Sequence, residues 1–324
     1  MNPARPVDVP NCEQRRNMTN HISNLNEDSI PDSQAACLCC QPSVVKDSKF
    51  SYGHKSDCFI ASEGYAKVGR QMEEHRRMRR SLNLAKEVQQ NLLPKNRPDY
   101  KGLDIAGKSI YCDETGGDYF DYHDLGEEAH EKLGVAIGDV SGHGISAALL
   151  MATVRAALRQ RVYRKGNLKD IISDVNRQLA PDVEESGQFI GLFYLVVDQP
   201  KRTLKWVRAG HTPAILYDPD TDTFEELNGP GVALGVDAGL RYAETEKRDM
   251  KKGQVIVLAT DGILEARNPA GRMFGRPSLV SLIRRNKYGG AKQILDAVFD
   301  GLKQFRRDAE LEDDITLVVI KIEA

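Results

Sequence analysis

Leu133-Gly134-Val135-Ala136-Ile137-Gly138-Asp139-Val140-Ser141-Gly142-His143-Gly144 carries an apolar strand into an acid and then into a glycine-rich turn. The residues that follow, Ile145-Ser146-Ala147-Ala148-Leu149-Leu150-Met151-Ala152, read as the opening of a helix. An acid at the end of a buried strand is a carboxylate on a rigid support. The glycines at 138, 142 and 144 leave space for a metal, an anion or both to approach the main chain. Taken alone, a strand-end aspartate beside a turn is more often a helix cap or a turn former.

Similar acids occur elsewhere along the chain. Upstream stands Glu114-Thr115-Gly116-Gly117-Asp118-Tyr119-Phe120-Asp121, a glycine pair against an acid. Downstream, Val255-Ile256-Val257-Leu258-Ala259-Thr260-Asp261-Gly262 is an apolar strand ending in Asp-Gly. Near the C-terminus, Glu312-Asp313-Asp314 leads into the β-branched run Ile315-Thr316-Leu317-Val318-Val319-Ile320. No thiol or imidazole stands at ligand spacing among these acids. An all-oxygen donor set suits hard cations, Mg²⁺ or Mn²⁺, rather than zinc. Carboxylates from distant segments converging at one end of a fold can hold two such ions, the arrangement that supports in-line displacement at phosphorus.

Gly116-Gly117-Asp118, Gly138 to Gly144, Ala259-Thr260-Asp261-Gly262 and Asp313-Asp314-Ile315-Thr316 stand in the order found in the metal-dependent protein phosphatases of the PPM family, and the chain resembles their bacterial SpoIIE-type branch. The resemblance runs from about Arg80 to Ala324. It implies an α+β fold of two packed antiparallel sheets flanked by helices, an α-β-β-α sandwich preceded by an N-terminal linker helix. It also implies a serine/threonine protein phosphatase that uses metal-activated water on a phosphorylated regulatory protein, such as an anti-sigma-factor antagonist. Two ions, Mn²⁺ or Mg²⁺, are expected. By the same resemblance Asp139 bridges both ions, the Val140 carbonyl adds a backbone ligand, Asp118 serves the second ion, and Asp261 with Asp313 holds the first. Asp314 is the alternative to Asp313. Asp121 neighbours a ligand candidate and either caps, orients it or binds a further ion. His143 either donates a proton to the leaving oxygen or holds the turn. His211, in Ala209-Gly210-His211-Thr212-Pro213, reads as structural.

Composition excludes several other classes. With 45 Lys+Arg against 47 Asp+Glu the net charge is −2, so no global field points to nucleic acid or to an anionic membrane. Hydrophobic residues make up 40%, enough for a sizeable core, but the apolar runs are too short to span a bilayer. The N-terminus has no apolar signal segment, and a cytoplasmic protein is the expectation. Cys37-Leu38-Cys39-Cys40 is not the Cys-x₂-Cys pairing of structural zinc.

Three stretches follow. Residues 1–62 are polar, without periodicity, and read as a disordered leader. Within 63–95, Tyr65, Val68, Met72, Met78, Leu82, Ala85, Val88 and Leu92 recur at three- and four-residue intervals, predicting a helix over Gly64 to Leu93 that stops before Pro94. Such a helix either packs on its own catalytic domain or forms a coiled coil that makes a homodimer. Residues 96–324 form the phosphatase-like domain, with eight strands and four helices expected and Asp237 to Arg248 read as a loop. Two other functions fit the same pattern less well: a catalytically silent module that binds the same partner, disfavoured because no ligand acid is missing, and an enzyme on small phosphoesters or nucleic acid.

Overall fold

The computed structural model describes residues 54–126 and 131–324, with side chains from residue 67 onward. Residues 1–53 of the expected leader, with its cysteines up to Cys40, therefore lie outside the described residues. The chain divides into two compact units, Met1–Arg70 and Gln71–Ala324. Helix α1 spans His54–Gln90, starting before the expected Gly64 and ending before Leu93. No proline interrupts the earlier stretch, so the helix extends back through residues read as leader. At the other end Asn91 and Leu92 close a turn onto the Glu87 and Gln89 carbonyls. Pro94 then prevents continuation, because it lacks an N–H and disfavours helical geometry in the residue before it.

The second unit is built on two five-stranded antiparallel sheets. The first contains β1 (Leu103–Ile110), β6 (Ala214–Asp218), β7 (Thr223–Leu227), β9 (Val255–Ala259) and β10 (Ile315–Ile322), in the order β1-β10-β9-β6-β7. The second contains β2 (Tyr119–Asp124), β3 (Lys132–Val140), β4 (Ile190–Asp198), β5 (Thr203–Ala209) and β8 (Thr245–Lys247), in sequence order. Helices α2 (Gly144–Val162) and α3 (Leu168–Val183) belong to the second sheet; α4 (Asp261–Glu265), α5 (Gly275–Arg285) and α6 (Ala291–Arg306) belong to the first.

Alternation along the strands sorts side chains into three layers. On β4, Phe193, Leu195 and Val197 enter the core between the sheets, while Leu192, Tyr194 and Val196 face the core under α2 and α3. A strand buried on both faces reads as a continuous apolar run, which is why this segment looked unbroken in the sequence. Beneath α5 and α6, Val255, Val257, Leu317 and Val319 pack with Leu279, Ile283, Ile294 and Val298. Each fully buried aliphatic side chain contributes about 1.5–3 kcal/mol, and these layers hold the strand ends in fixed positions.

Three elements depart from the expectation. β7 is polar at most positions and was not read as a strand, because an edge strand has one exposed face and few apolar residues. The three-residue β8 lies inside the expected loop Asp237 to Arg248 and pairs with Leu204, Lys205 and Trp206. α4 begins at Asp261 itself, so the Asp-Gly step starts a short helix.

Candidate active site

Asp118 lies directly before β2, Asp139 near the end of β3, Asp261 directly after Thr260 at the end of β9, and Asp313 and Asp314 directly before β10. The two sheets thus deliver their acids to one end of the sandwich. β2 and β3 place Tyr119 opposite Gly138, and β9 and β10 place Ala259 opposite Leu317. The sheets are joined there by side chains: Thr260 Oγ1 donates to Asp118 Oδ2 at 2.8 Å and accepts from the Thr316 N–H at 2.9 Å.

Asp313 and Asp314, adjacent in sequence, have different surroundings. The buried Asp314 carboxylate accepts from the backbone N–H groups of Cys112 at 2.8 Å, Gly117 at 2.7 Å and Asp118 at 3.3 Å. It is therefore already occupied in holding the segment that leads to Asp118. Asp313 accepts only from the Asp314 N–H, at 2.8 Å, and keeps its other oxygen free of described partners.

Glycines allow the close approach. A Cβ on Gly117 would stand 2.8 Å from the Val140 carbonyl oxygen, closer than real Cβ contacts allow. Gly116 is held from the other side by the last turn of α1. Gln89 Nε2 donates to the Gly116 carbonyl at 2.6 Å, and the Gly116 N–H donates to Gln89 Oε1 at 3.1 Å. Sequence reasoning missed Gln89; its signal was weak, one polar residue in a helix otherwise read by its apolar stripe.

The electrostatics have a single character. Burial pushes the Asp139 carboxyl up to about 8, reinforced by the charges on Asp261, Asp313 and Asp314. Burial, with repulsion from Asp139, holds Asp118 well above the usual carboxylate range, against the lowering pull of hydrogen bonds from Thr316 and Thr260. Asp313 is raised as well, by burial first and then by Asp261 and Asp314. Among the described residues, none of these acids forms an ion pair with Lys, Arg or His. Like charges gathered without a counter-cation are what a bound divalent ion would compensate, since its charge inverts the local pKa logic. The donor set, carboxylate oxygens beside an open backbone carbonyl, fits a hard cation. Among the described residues no three Asp, Glu, His or Cys side chains are already drawn into a closed ligand set.

The other candidates sort clearly. Asp121 is not brought to the acids. It is buried on the opposite face of β2, where Arg159 of α2 grips it through Nε at 2.5 Å and Nη2 at 2.7 Å, and Tyr119 Oη donates to it at 3.0 Å. Burial raises its pKa, but the Arg159 and His123 contacts outweigh this and hold the carboxyl below the ordinary range. Position 121 is thus a structural anchor for α2. His143 stands at the N-cap of α2 with an extended backbone and an exposed ring whose Nδ1 meets Asp113 Oδ2 at 2.7 Å. His211 is buried at the turn after β5; its Nδ1 meets the Thr212 carbonyl at 2.8 Å, and its Nε2 has no partner among the described residues. Burial lowers its pKa, while the nearby Asp261 charge acts in the opposite direction.

Two antiparallel sheets faced by helices, with uncompensated acids at one end, define a hydrolase of the protein phosphatase class. The chain belongs to the SpoIIE (Stage II sporulation protein E) family, whose model matches residues 129–323. It is 31% identical over 240 residues to phosphoserine phosphatase RsbU of Bacillus subtilis, covering 74% of this chain and 69% of that protein. It is 24% identical to phosphoserine phosphatase RsbP of the same organism, of which it spans 58%. Among solved structures, the SiaA-PP2C domain of Pseudomonas aeruginosa superposes with a TM-score of 0.66 at 21% identity, covering 77% of this chain and 98% of that one. The RsbU and RsbW domains of Rv1364c from Mycobacterium tuberculosis give 0.59 at 25% identity, covering 70% and 62%. RsbX in complex with magnesium gives 0.54 at 15% identity, covering 70% and 99%, a likeness of fold. By family and relatives the chain is a protein phosphatase. Among the described residues, no helix is long and apolar enough to cross a membrane.

Proposed function

We propose that this phosphatase hydrolyses phosphoserine or phosphothreonine on a small regulatory protein of the anti-sigma-factor antagonist type, with two divalent ions, Mn²⁺ or Mg²⁺. The observation that carries this is the gathering of Asp118, Asp139, Asp261 and Asp313 from both sheets, none of them paired with Lys, Arg or His among the described residues. Support comes from RsbU and RsbP, which are named phosphoserine phosphatases, and from RsbX, whose structure holds magnesium.

In this reading Asp118, Asp139, the Val140 carbonyl, Asp261 and Asp313 would hold the two ions. The freer oxygens of Asp313 favour it over Asp314, whose carboxylate is spent on three backbone N–H groups. The ions, when bound, neutralise the phosphoryl oxygens and activate water. Asp139 is carried on β3, which is paired with β2 on one side and β4 on the other. His143, exposed beside the turn and oriented by Asp113, supplies a proton to the departing serine oxygen. The linker helix α1 acts as the on/off element through Gln89, and its exposed Met72, Met78 and Val88, members of the recurring apolar stripe, form the homodimer seam. Sedimentation of Met72→Glu with Met78→Glu tests that seam; a dimer that persists rejects it.

Hydrolysis of p-nitrophenyl phosphate with Mn²⁺ and with EDTA, in wild type and Asp139→Asn, tests the chemistry. Metal-dependent turnover lost in the variant is the expected result. A wild type that is inactive on aryl phosphate and on a serine-phosphorylated antagonist, but still binds the antagonist, would mark the silent module instead.

A further inference from the structure

The outer face of α2 is unusual for this chain. Charged residues make up 28% of the sequence, yet Ile145, Ser146, Leu149, Thr153, Ala156 and Gln160, the exposed positions of this helix up to Gln160, carry no charge. Leu149 is 66% exposed and Ile145 53%. Beside them α2 and α3 leave a shallow groove of about 530 Å³, floored by alanines at 152, 156 and 157 and walled by Leu149 and Gln178.

The apolar surface continues around the catalytic turn. Ser141 and Phe189 are tied by two hydrogen bonds, Ser141 N–H to the Phe189 carbonyl and Phe189 N–H to Ser141 Oγ, each 2.9 Å. Phe189 is nevertheless 47% exposed. Gly235 packs against the Gln188 and Phe189 backbone and donates to Asn176 Oδ1 of α3 at 2.9 Å, which sets the 56% exposed Val236 beside them. Large apolar side chains left in water beside a charged site, on a helix face whose exposed positions carry no charge, are the composition of an interface core.

We infer that Ile145, Leu149, Phe189 and Val236 form a docking ledge for the phosphoprotein substrate itself. The partner is a folded protein that presents its phosphoserine at the edge of an uncharged apolar patch and lays that patch over the α2–α3 groove. This rests on the phosphoprotein reading above. The ledge adjoins the Ser141–Gly144 turn, directly after Asp139 and Val140, so a protein whose phosphate reaches the acids must lie over it. An aryl phosphate reaches the same acids without touching Leu149 or Thr153. The ledge thus separates recognition of the protein from the chemistry on phosphate.

The test compares three substrates on the full chain with Mn²⁺: a serine-phosphorylated anti-sigma-factor antagonist made with its kinase, a short phosphoserine peptide of the same local sequence, and p-nitrophenyl phosphate. Wild type is expected to prefer the folded protein over the peptide at least tenfold in kcat/KM. Leu149→Lys and Thr153→Glu are each expected to remove that preference while leaving the aryl phosphate rate within twofold, with Leu149→Ala giving an intermediate loss. An unchanged preference in the charged variants overturns the ledge. So does loss of the aryl phosphate rate in all three variants, which would make the face part of the catalytic scaffold. Conversion of a wild-type dimer to a monomer by Leu149→Lys overturns it in favour of a second copy. A wild type that hydrolyses aryl phosphate but no phosphoprotein fails the functional proposal itself, a result distinct from each of these.

Discussion

Removing the Gln89 side chain isolates the link between α1 and the acids. Gln89→Ala deletes both hydrogen bonds to Gly116, at 2.6 and 3.1 Å, in a buried setting. Each leaves a backbone group without its partner, costing about 1–3 kcal/mol unless water enters. Partial access of water brings a reasonable total to about 2 kcal/mol, charged to the conformation in which Gly116-Gly117-Asp118 is in place. The acids themselves are untouched. The loss should therefore appear in metal binding: at tenfold per 1.4 kcal/mol, the half-saturating Mn²⁺ concentration rises roughly 30-fold. Saturating metal restores turnover to within about threefold, because binding repurchases the ordered loop. Manganese titration of p-nitrophenyl phosphate hydrolysis reads this directly. Leu84→Ala, at an exposed position of the same helix, serves as the control and leaves the titration unchanged. A Gln89→Ala enzyme with wild-type half-saturation refutes the claim that this residue holds the Asp118 segment.

The paired acids give a second contrast. Asp313→Asn is expected to lower activity at least 100-fold while the melting temperature holds or rises by a few degrees, since one of several crowded like charges is removed. Asp314→Asn turns an amide toward three N–H donors, costs about 2 kcal/mol, and lowers the melting temperature by roughly 4–8 °C. Calorimetry with an aryl phosphatase assay separates the two, and an inverted pattern would exchange their roles. For Asp121 the folded pKa lies below the unfolded one, so its pair with Arg159 contributes stability above the unfolded value of about 4 and loses it as the pH falls further. Urea midpoints should thus show Asp121→Asn several kcal/mol less stable at pH 7, in the range of about 3–5 for a broken buried pair, with the gap narrowing toward pH 3. A gap independent of pH would place the cost in packing.

The strands that carry the site were legible because both faces are buried, and apolar runs such as Val255 to Ala259 and Thr316 to Ile322 admit little else. Tyr119 to Asp124 was legible to the residue, bracketed by Asp118 and a polar turn. β7 and β8 were not, because edge strands owe their form to a neighbour's ladder rather than to their own side chains. The same division runs through the site. Asp118, Asp139 and Asp261 each stand beside glycine at a strand end, a local pattern. Asp121 matched that pattern by proximity alone. Its true partner, Arg159, lies one strand pairing and a helix away, and only the period of two along β2 sends it to the helix face. Gln89 had no local mark, since its role is a contact with the backbone of residue 116.

Asp314 and Gln89 act on the same short stretch from opposite directions. The carboxylate takes the N–H groups of Gly117 and Asp118, while the amide takes both polar groups of Gly116. Asp118 is thereby positioned by one segment at the start of β10 and by another at the tip of a long helix. Burial, with like-charge repulsion behind it, raises Asp118 and Asp139, so the ordered stretch is held at a cost that these hydrogen bonds offset. A balance of this kind responds to small changes. A shift of α1 that breaks the two hydrogen bonds to Gly116 costs about 1–3 kcal/mol for each backbone group left unpaired. Nothing needs to touch an acid for the site to lose its metal affinity, and a signal that straightens, pairs or displaces α1 would be read as a change in where Asp118 stands.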